Sequence, residues 1–156
     1  MPEIRPSTSK VLTLDLVKSL KFEETIGVDH IWSGIIIDGT AGEDLVFPNV
    51  CYLKNDGKFW KARANAAGTT FGIMALATAT IAADAAGIFL LMGFARDDTW
   101  TWTINEEIYV SEATAGAITH TAPTTSGEQV RQVGNALTAD IMWFSPAPDM
   151  TIAEVA

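Results

Sequence analysis

Apolar and polar residues alternate strictly through Thr99-Trp100-Thr101-Trp102-Thr103-Ile104, with Trp100, Trp102 and Ile104 on one side and three threonines on the other. No helix puts residues i, i+2 and i+4 on one face, so the pattern predicts a strand. Ile88-Phe89-Leu90-Leu91-Met92-Gly93-Phe94 is apolar on both faces and predicts a strand buried on two sides. Leu45-Val46-Phe47 and Val50-Cys51-Tyr52-Leu53 read as extended segments interrupted at Pro48-Asn49. Asn55-Asp56-Gly57 reads as a tight turn, because Asp-Gly supplies positive φ, and residues 58–62 return from it. Residues 108–111, 118–121, 129–136 and 141–144 complete the set, with a turn at 114–117, and Ser145-Pro146-Ala147-Pro148 ends the last strand. Roughly eight short strands with a turn signal about every 8 to 12 residues predict an all-β fold, a small antiparallel β-barrel or sandwich. Ile73-Met74-Ala75-Leu76-Ala77 is short, follows Gly72 and leads into a Thr/Ala-rich stretch, so it reads as strand. Residues 80–87 admit one helical turn by propensity.

The same pattern divides the chain. Residues 1–27 read as an extended N-terminal arm: Met1 to Lys10 is polar and carries Pro2 and Pro6. Apolar positions 11, 12, 14, 16, 17, 20 and 22 mix helical and alternating spacings, which leaves the type of that segment open. Residues 28–148 form the β domain, and 149–156 a short C-terminal tail. The start has no apolar h-region, so no secretory signal is expected.

Composition changes the picture at one place. The 156 residues are 48% hydrophobic and only 19% charged, against about 25% charged in an average soluble domain. The deficit concentrates in residues 64–95, where Asp84 is the single charge. Asn65, Gly68, Gly72, Thr78, Thr80 and Gly87 interrupt that stretch, which argues against a membrane span. Buried strands in a closed barrel or sandwich, with further surface covered by other subunits, explain it better. The net charge of −9 argues against nucleic acid and anionic membranes as partners. A single Cys excludes a disulfide scaffold and a Cys-based zinc site.

Candidate chemistry is sparse. Cys51 lies in an apolar run, where a thiol is buried and inert. His30 and His120 are far apart in sequence, and both read as surface or interface residues. Glu23-Glu24, Glu43-Asp44, Asp97-Asp98 and Glu106-Glu107 are adjacent pairs. On a strand such neighbours point to opposite faces, so they make no catalytic dyad and read as solvated turns. No phosphate-binding glycine loop, calcium loop or nucleophile elbow occurs. The five Trp are many for this length. Exposed Trp on a strand face can bind sugar, but core or subunit contact is the commoner use. Trp100, Trp102 and His120 are therefore candidates for contact between subunits or for the surface. No catalytic residue, metal ligand or cofactor is expected, and the chain reads as non-enzymatic.

One set of strings carries a resemblance. They are Gly42-Glu43-Asp44-Leu45-Val46, Val50-Cys51-Tyr52-Leu53-Lys54-Asn55-Asp56-Gly57-Lys58-Phe59-Trp60-Lys61-Ala62 and Gly93-Phe94-Ala95-Arg96-Asp97-Asp98-Thr99-Trp100-Thr101-Trp102-Thr103. Ile108-Tyr109-Val110-Ser111, Ala115-Gly116-Ala117-Ile118-Thr119, Ala122-Pro123, Gly127, Val130 to Leu137 and Phe144-Ser145-Pro146 follow in order. As an ordered set they resemble the β domain of tailed-bacteriophage head-decoration, or capsid cement, proteins, and of phage fibre and tail structural proteins. The likeness covers residues 40–148 and leaves out the first 40. It implies a homotrimer on the outer capsid surface that bridges neighbouring copies of the major capsid protein. It also implies a virion component made in the host cytoplasm, a setting that suits a free Cys. An N-terminal arm that contacts the capsid or another partner makes Ile4, Arg5, Val11, Leu12, Leu14 and Leu16 candidate partner-binding residues. Such an arm orders on binding, for example by adding a strand to a capsid sheet edge. The alternative that the resemblance leaves is a tail-fibre or baseplate domain that binds a receptor or glycan.

Overall fold

The structure, a computed structural model, describes residues 27–146 and 153–156. The arm candidates Ile4, Arg5, Val11, Leu12, Leu14 and Leu16 lie outside the described residues, as do residues 147–152. The fold is all-β, with one short 3-10 turn at Ala67–Thr69 among the described residues. The strands are β1 (Trp32–Thr40), β2 (Val50–Leu53), β3 (Phe59–Lys61), β4 (Met74–Ala77), β5 (Ala86–Arg96) and β6 (Glu107–Val110). They continue with β7 (Ile118–Thr119), β8 (Gln129–Val130), β9 (Gln132–Ala136), β10 (Ile141–Phe144) and β11 (Ala153–Glu154). One antiparallel sheet runs β3-β2-β4-β5-β10-β9-β6-β7 and curls strongly into a half-barrel, while β11 pairs with β8 in a separate ribbon.

The eleven-residue β5 organises this sheet. One of its edges is taken along nearly its whole length by β1, from Trp32 opposite Ala95 to Thr40 opposite Ala86. Its other edge is divided. β4 pairs at Phe89 and Leu90, and β10 pairs from Gly93 to Arg96. Such sharing requires β5 to change direction midway, and a bulge supplies the bend. Ile35 faces Met92 while Ile36 faces Leu90, so Leu91 is the extra residue.

Period-two alternation separates two cores. In β4, Met74 and Leu76 point one way and Ala75 and Ala77 the other, and all four are buried. The large pair joins Val50, Leu90, Ile108, Val110, Val133, Met142 and Phe144 in a cluster drawn from strands along the whole sheet. That cluster therefore fills the concave side. The small pair joins Cys51, Phe59 and Phe89 on the convex side. There the segments 41–45 and 81–85 lie over the sheet, with Leu45 and Ile81 exchanging backbone hydrogen bonds of 2.8 and 2.9 Å. Each fully buried Leu, Val or Phe contributes ~1.5–3 kcal/mol relative to exposure. Both faces of the sheet's centre are thus covered without full closure, by curl on one side and by loops on the other, while the isoleucines of β1 stay exposed.

Several expectations change. Residues 99–104 are not a strand. Turns flank them: Asp97 O accepts from Trp100 N at 3.1 Å, and Glu106 N donates to Thr103 O at 3.0 Å, with Asn105 at φ 66°. Between the turns Trp102 N donates to Ala139 O at 3.0 Å, without a strand ladder. The two Trp still share a side, whereas Ile104 is 71% exposed. Residues 45–47 make a single bridge at Leu45 before the turn at Phe47-Pro48, not a strand. Residues 80–87 contain no helical turn; Asp84 at φ 65° makes a tight turn that returns the chain into β5. The low-charge stretch is not buried throughout, since Phe71 and Ile73 are exposed. Residues 153–154, read as tail, pair with β8.

Candidate functional site

Four places hold the residues singled out above, and each has a local cause. The first is the corner where the chain enters β1. Asp29, His30 and Asp97 converge there, with Nε2 of His30 lying 3.5 Å from Asp29 Oδ2 and 3.6 Å from Asp97 Oδ2. Asp97 is only 6% exposed, so it is not the solvated turn residue expected. Its Oδ1 accepts from Thr99 N at 2.9 Å and Thr99 Oγ1 at 2.5 Å, while Asp29 Oδ1 accepts from Asp98 N at 2.8 Å. These bonds fasten the start of β1 to the end of β5. Arg96 continues the clamp, with Nε 2.6 Å from Asp98 Oδ1 and Nη2 3.0 Å from Asp140 Oδ2.

The second is the tryptophan pair. Trp100 and Trp102 stack at 4.0 Å between centroids with planes 25° apart, and both pack half-buried against the concave core. Trp100 also borders a cavity of about 310 Å³ whose walls include Phe47, Pro48, Asn49 and Ile118. The walls are mostly apolar, and the Asn49 amide is already engaged with Val46 N and Gly116 O. The third is His120. It is exposed, and its Nδ1 lies 2.9 Å from Glu106 Oε1. It follows β7 directly in sequence.

Cys51 is fully buried in β2, and its thiol donates to Asn49 O at 3.4 Å. Burial, with the Glu43 charge adding to it, pushes the thiol up to about 12. The native protein is therefore expected to leave Cys51 unmodified by a thiol-labelling reagent at neutral pH, with full labelling in denaturant. Because the folded value lies above the unfolded one, the linked stability is complete below the unfolded value. It is lost as pH rises toward the folded one.

Carboxylates shift the other way. Thr138 Oγ1 donates to Asp140, and Arg96 adds its charge, which holds the carboxyl below the usual range. Thr103 N, and then His120, do the same for Glu106, as the backbone N–H of Thr125 does for Glu112. Stability from these groups is present above the ordinary carboxylate range and disappears as pH falls through their folded values. The urea midpoint is expected to hold from neutral pH down to about pH 5 and to drop below about pH 4. Asp140→Asn should flatten part of that acid limb.

The fourth place was not singled out by sequence. β1 has β5 on one edge and, among the described residues, no strand on the other. Ile35, Ile36 and Ile37 are 43%, 43% and 41% exposed. Ile35 and Ile37 share the convex side with Met92 and with the Phe94–Trp143 pair, whose rings are 4.8 Å apart. Ile36 faces the concave side opposite Leu90. A run of three isoleucines reads in sequence as buried strand. Only the pairing order reveals that it lies on an edge.

Comparison with family models, with curated proteins and with solved structures finds no match to this chain.

Proposed function

We propose that this protein is a non-enzymatic structural component of a phage virion, decorating and stabilising the outer capsid surface as a homotrimer bound to the major capsid protein. The observation that carries the reading is β1, which exposes three isoleucines and, among the described residues, has a strand on one edge only. Exposed isoleucines on both faces of one strand make an apolar surface of the kind that associates with a partner. The ordered likeness of residues 40–148 to decoration proteins supports the same reading. So does the charge of −9, which suits a particle's exterior better than contact with DNA. The full chain is expected to run as a trimer by light scattering and to co-sediment with expanded capsids. A stable monomer that stays in the supernatant would overturn the reading.

A fibre or baseplate domain is the second reading, favoured by the cavity beside Trp100. It requires binding to the host cell surface that is lost in Trp100→Ala.

A further inference from the structure

The corner where the chain enters β1 holds more donor atoms than its clamp uses. Each carboxylate there gives one oxygen to backbone N–H groups. Asp29 Oδ1 accepts from Asp98 N at 2.8 Å, and Asp97 Oδ1 accepts from Thr99 N at 2.9 Å. The second oxygens both turn toward Nε2 of His30, which lies 3.5 Å from Asp29 Oδ2 and 3.6 Å from Asp97 Oδ2. The three atoms lie within 4.8 Å of one another. Asp97 is only 6% exposed, yet among the described residues its Oδ2 accepts no hydrogen bond and points into this cluster. A carboxylate oxygen that deep in the protein calls for a donor or a cation.

Charge at the corner points the same way. Asp29, Asp97, Asp98 and Asp140 gather around one guanidinium, Arg96, which pairs with Asp98 and Asp140. Asp29 and Asp97 face an imidazole instead. Two carboxylates balance a divalent cation, and a metal-bound imidazole adds a ligand without adding charge.

We propose that Asp29 Oδ2, His30 Nε2 and Asp97 Oδ2 bind one Zn²⁺ ion, with water as the fourth ligand. His30 and Asp29 are exposed, so water reaches the outer side of the site. The separations suit a tetrahedral ion, because bonds of about 2.0–2.2 Å set neighbouring ligand atoms about 3.3–3.6 Å apart. An imidazole nitrogen beside carboxylates selects zinc over calcium and magnesium, which take oxygen ligands. The donors are also held from outside the site. Backbone N–H groups fix both carboxylates, and the His30 ring leans on Phe47 with 5.2 Å between centroids. Zinc bound here ties the turn before β1 to the end of β5, and so stabilises the paired strands by mass action.

The inference concerns a single chain and is independent of the decoration reading; neither trimer nor capsid enters its test. Untagged full-length protein, stripped with EDTA, is titrated with ZnCl2 by calorimetry, and its urea midpoint is measured in zinc and in EDTA. One Zn²⁺ per chain is expected, with a higher midpoint in zinc and much weaker binding of Ca²⁺ and Mg²⁺. His30→Asn tolerates the positive φ of that residue, 55°, and Asp97→Asn keeps an acceptor for Thr99. Each should weaken zinc binding roughly tenfold or more and remove the zinc-dependent rise in midpoint. His120→Asn changes the other histidine, beside Glu106, and should alter neither. In EDTA, His30→Asn should unfold at the wild-type midpoint, which separates loss of the metal from loss of the fold. A wild-type chain that binds no zinc overturns the proposal. So does zinc binding that is undiminished in His30→Asn or in Asp97→Asn, that falls equally in His120→Asn, or that calcium matches in strength.

Discussion

Gly93→Ala is expected to lower the unfolding free energy by about 3 kcal/mol or more, among the largest effects of any single methyl in this chain. Gly93 and Gly34 stand opposite each other where β1 crosses β5. A Cβ on Gly93 would lie 2.1 Å from Ser33 O and 2.7 Å from Gly34 Cα, and one on Gly34 would lie 2.2 Å from Met92 O. These obstacles are backbone atoms, which cannot rotate aside. Gly93 also sits at φ +152°, where L side chains are strained. The displacement cannot stay local, because β5 is shared by β1, β4 and β10. Gly57→Ala is the control. It too has positive φ, +80°, but nothing within 4 Å of an added Cβ, so it should cost only ~1–2 kcal/mol from the backbone. Urea unfolding of the three proteins checks this. A Gly93→Ala midpoint no lower than that of Gly57→Ala would mean that β1 and β5 separate freely.

Much of the fold was legible because period-two patterning and turn chemistry are local properties. Asp56-Gly57 turns where expected, with φ +80° at the glycine, and the β2–β3 hairpin follows. The strand at Met74–Ala77 follows from its neighbours. Residues 99–104 misled because alternation reports extended backbone, and whether a neighbouring strand is present is a tertiary matter. The buried state of Asp97 was hidden for a similar reason. Its partner His30, and Asp29, which accepts from the neighbouring Asp98 N, are far away in sequence and meet this corner only after β1 has paired with β5. Of the candidate surface, Trp100 and Trp102 were recognised as a pair. The isoleucine edge was not, since burial of one strand edge depends on the order of all the others.

That same order decides the second large prediction, Phe89→Ala, expected to cost ~3–5 kcal/mol. The convex core is built mostly of small groups: Ala41, Ala75, Ala77 and Cys51 are fully buried there. Its volume therefore rests on Leu45, Ile81 and the stacked rings of Phe59 and Phe89, 4.2 Å apart with planes inclined by 24°. Gly39 lies against both rings, a Cβ there coming within 2.7 Å of Phe59 and 3.1 Å of Phe89. Removing the Phe89 ring leaves a void that alanines cannot fill, and the backbone at Gly39 is held in register by β1 and cannot sink into it. Phe89→Leu keeps most of the volume and should cost no more than ~1.5 kcal/mol, so the two together separate cavity from stacking. Thermal and urea unfolding of both variants measure the difference. Equal losses would place the energy in the ring pair itself. A small loss in Phe89→Ala would mean that the segments 41–45 and 81–85 collapse onto the sheet, and that the loop-covered face is softer than its packing implies.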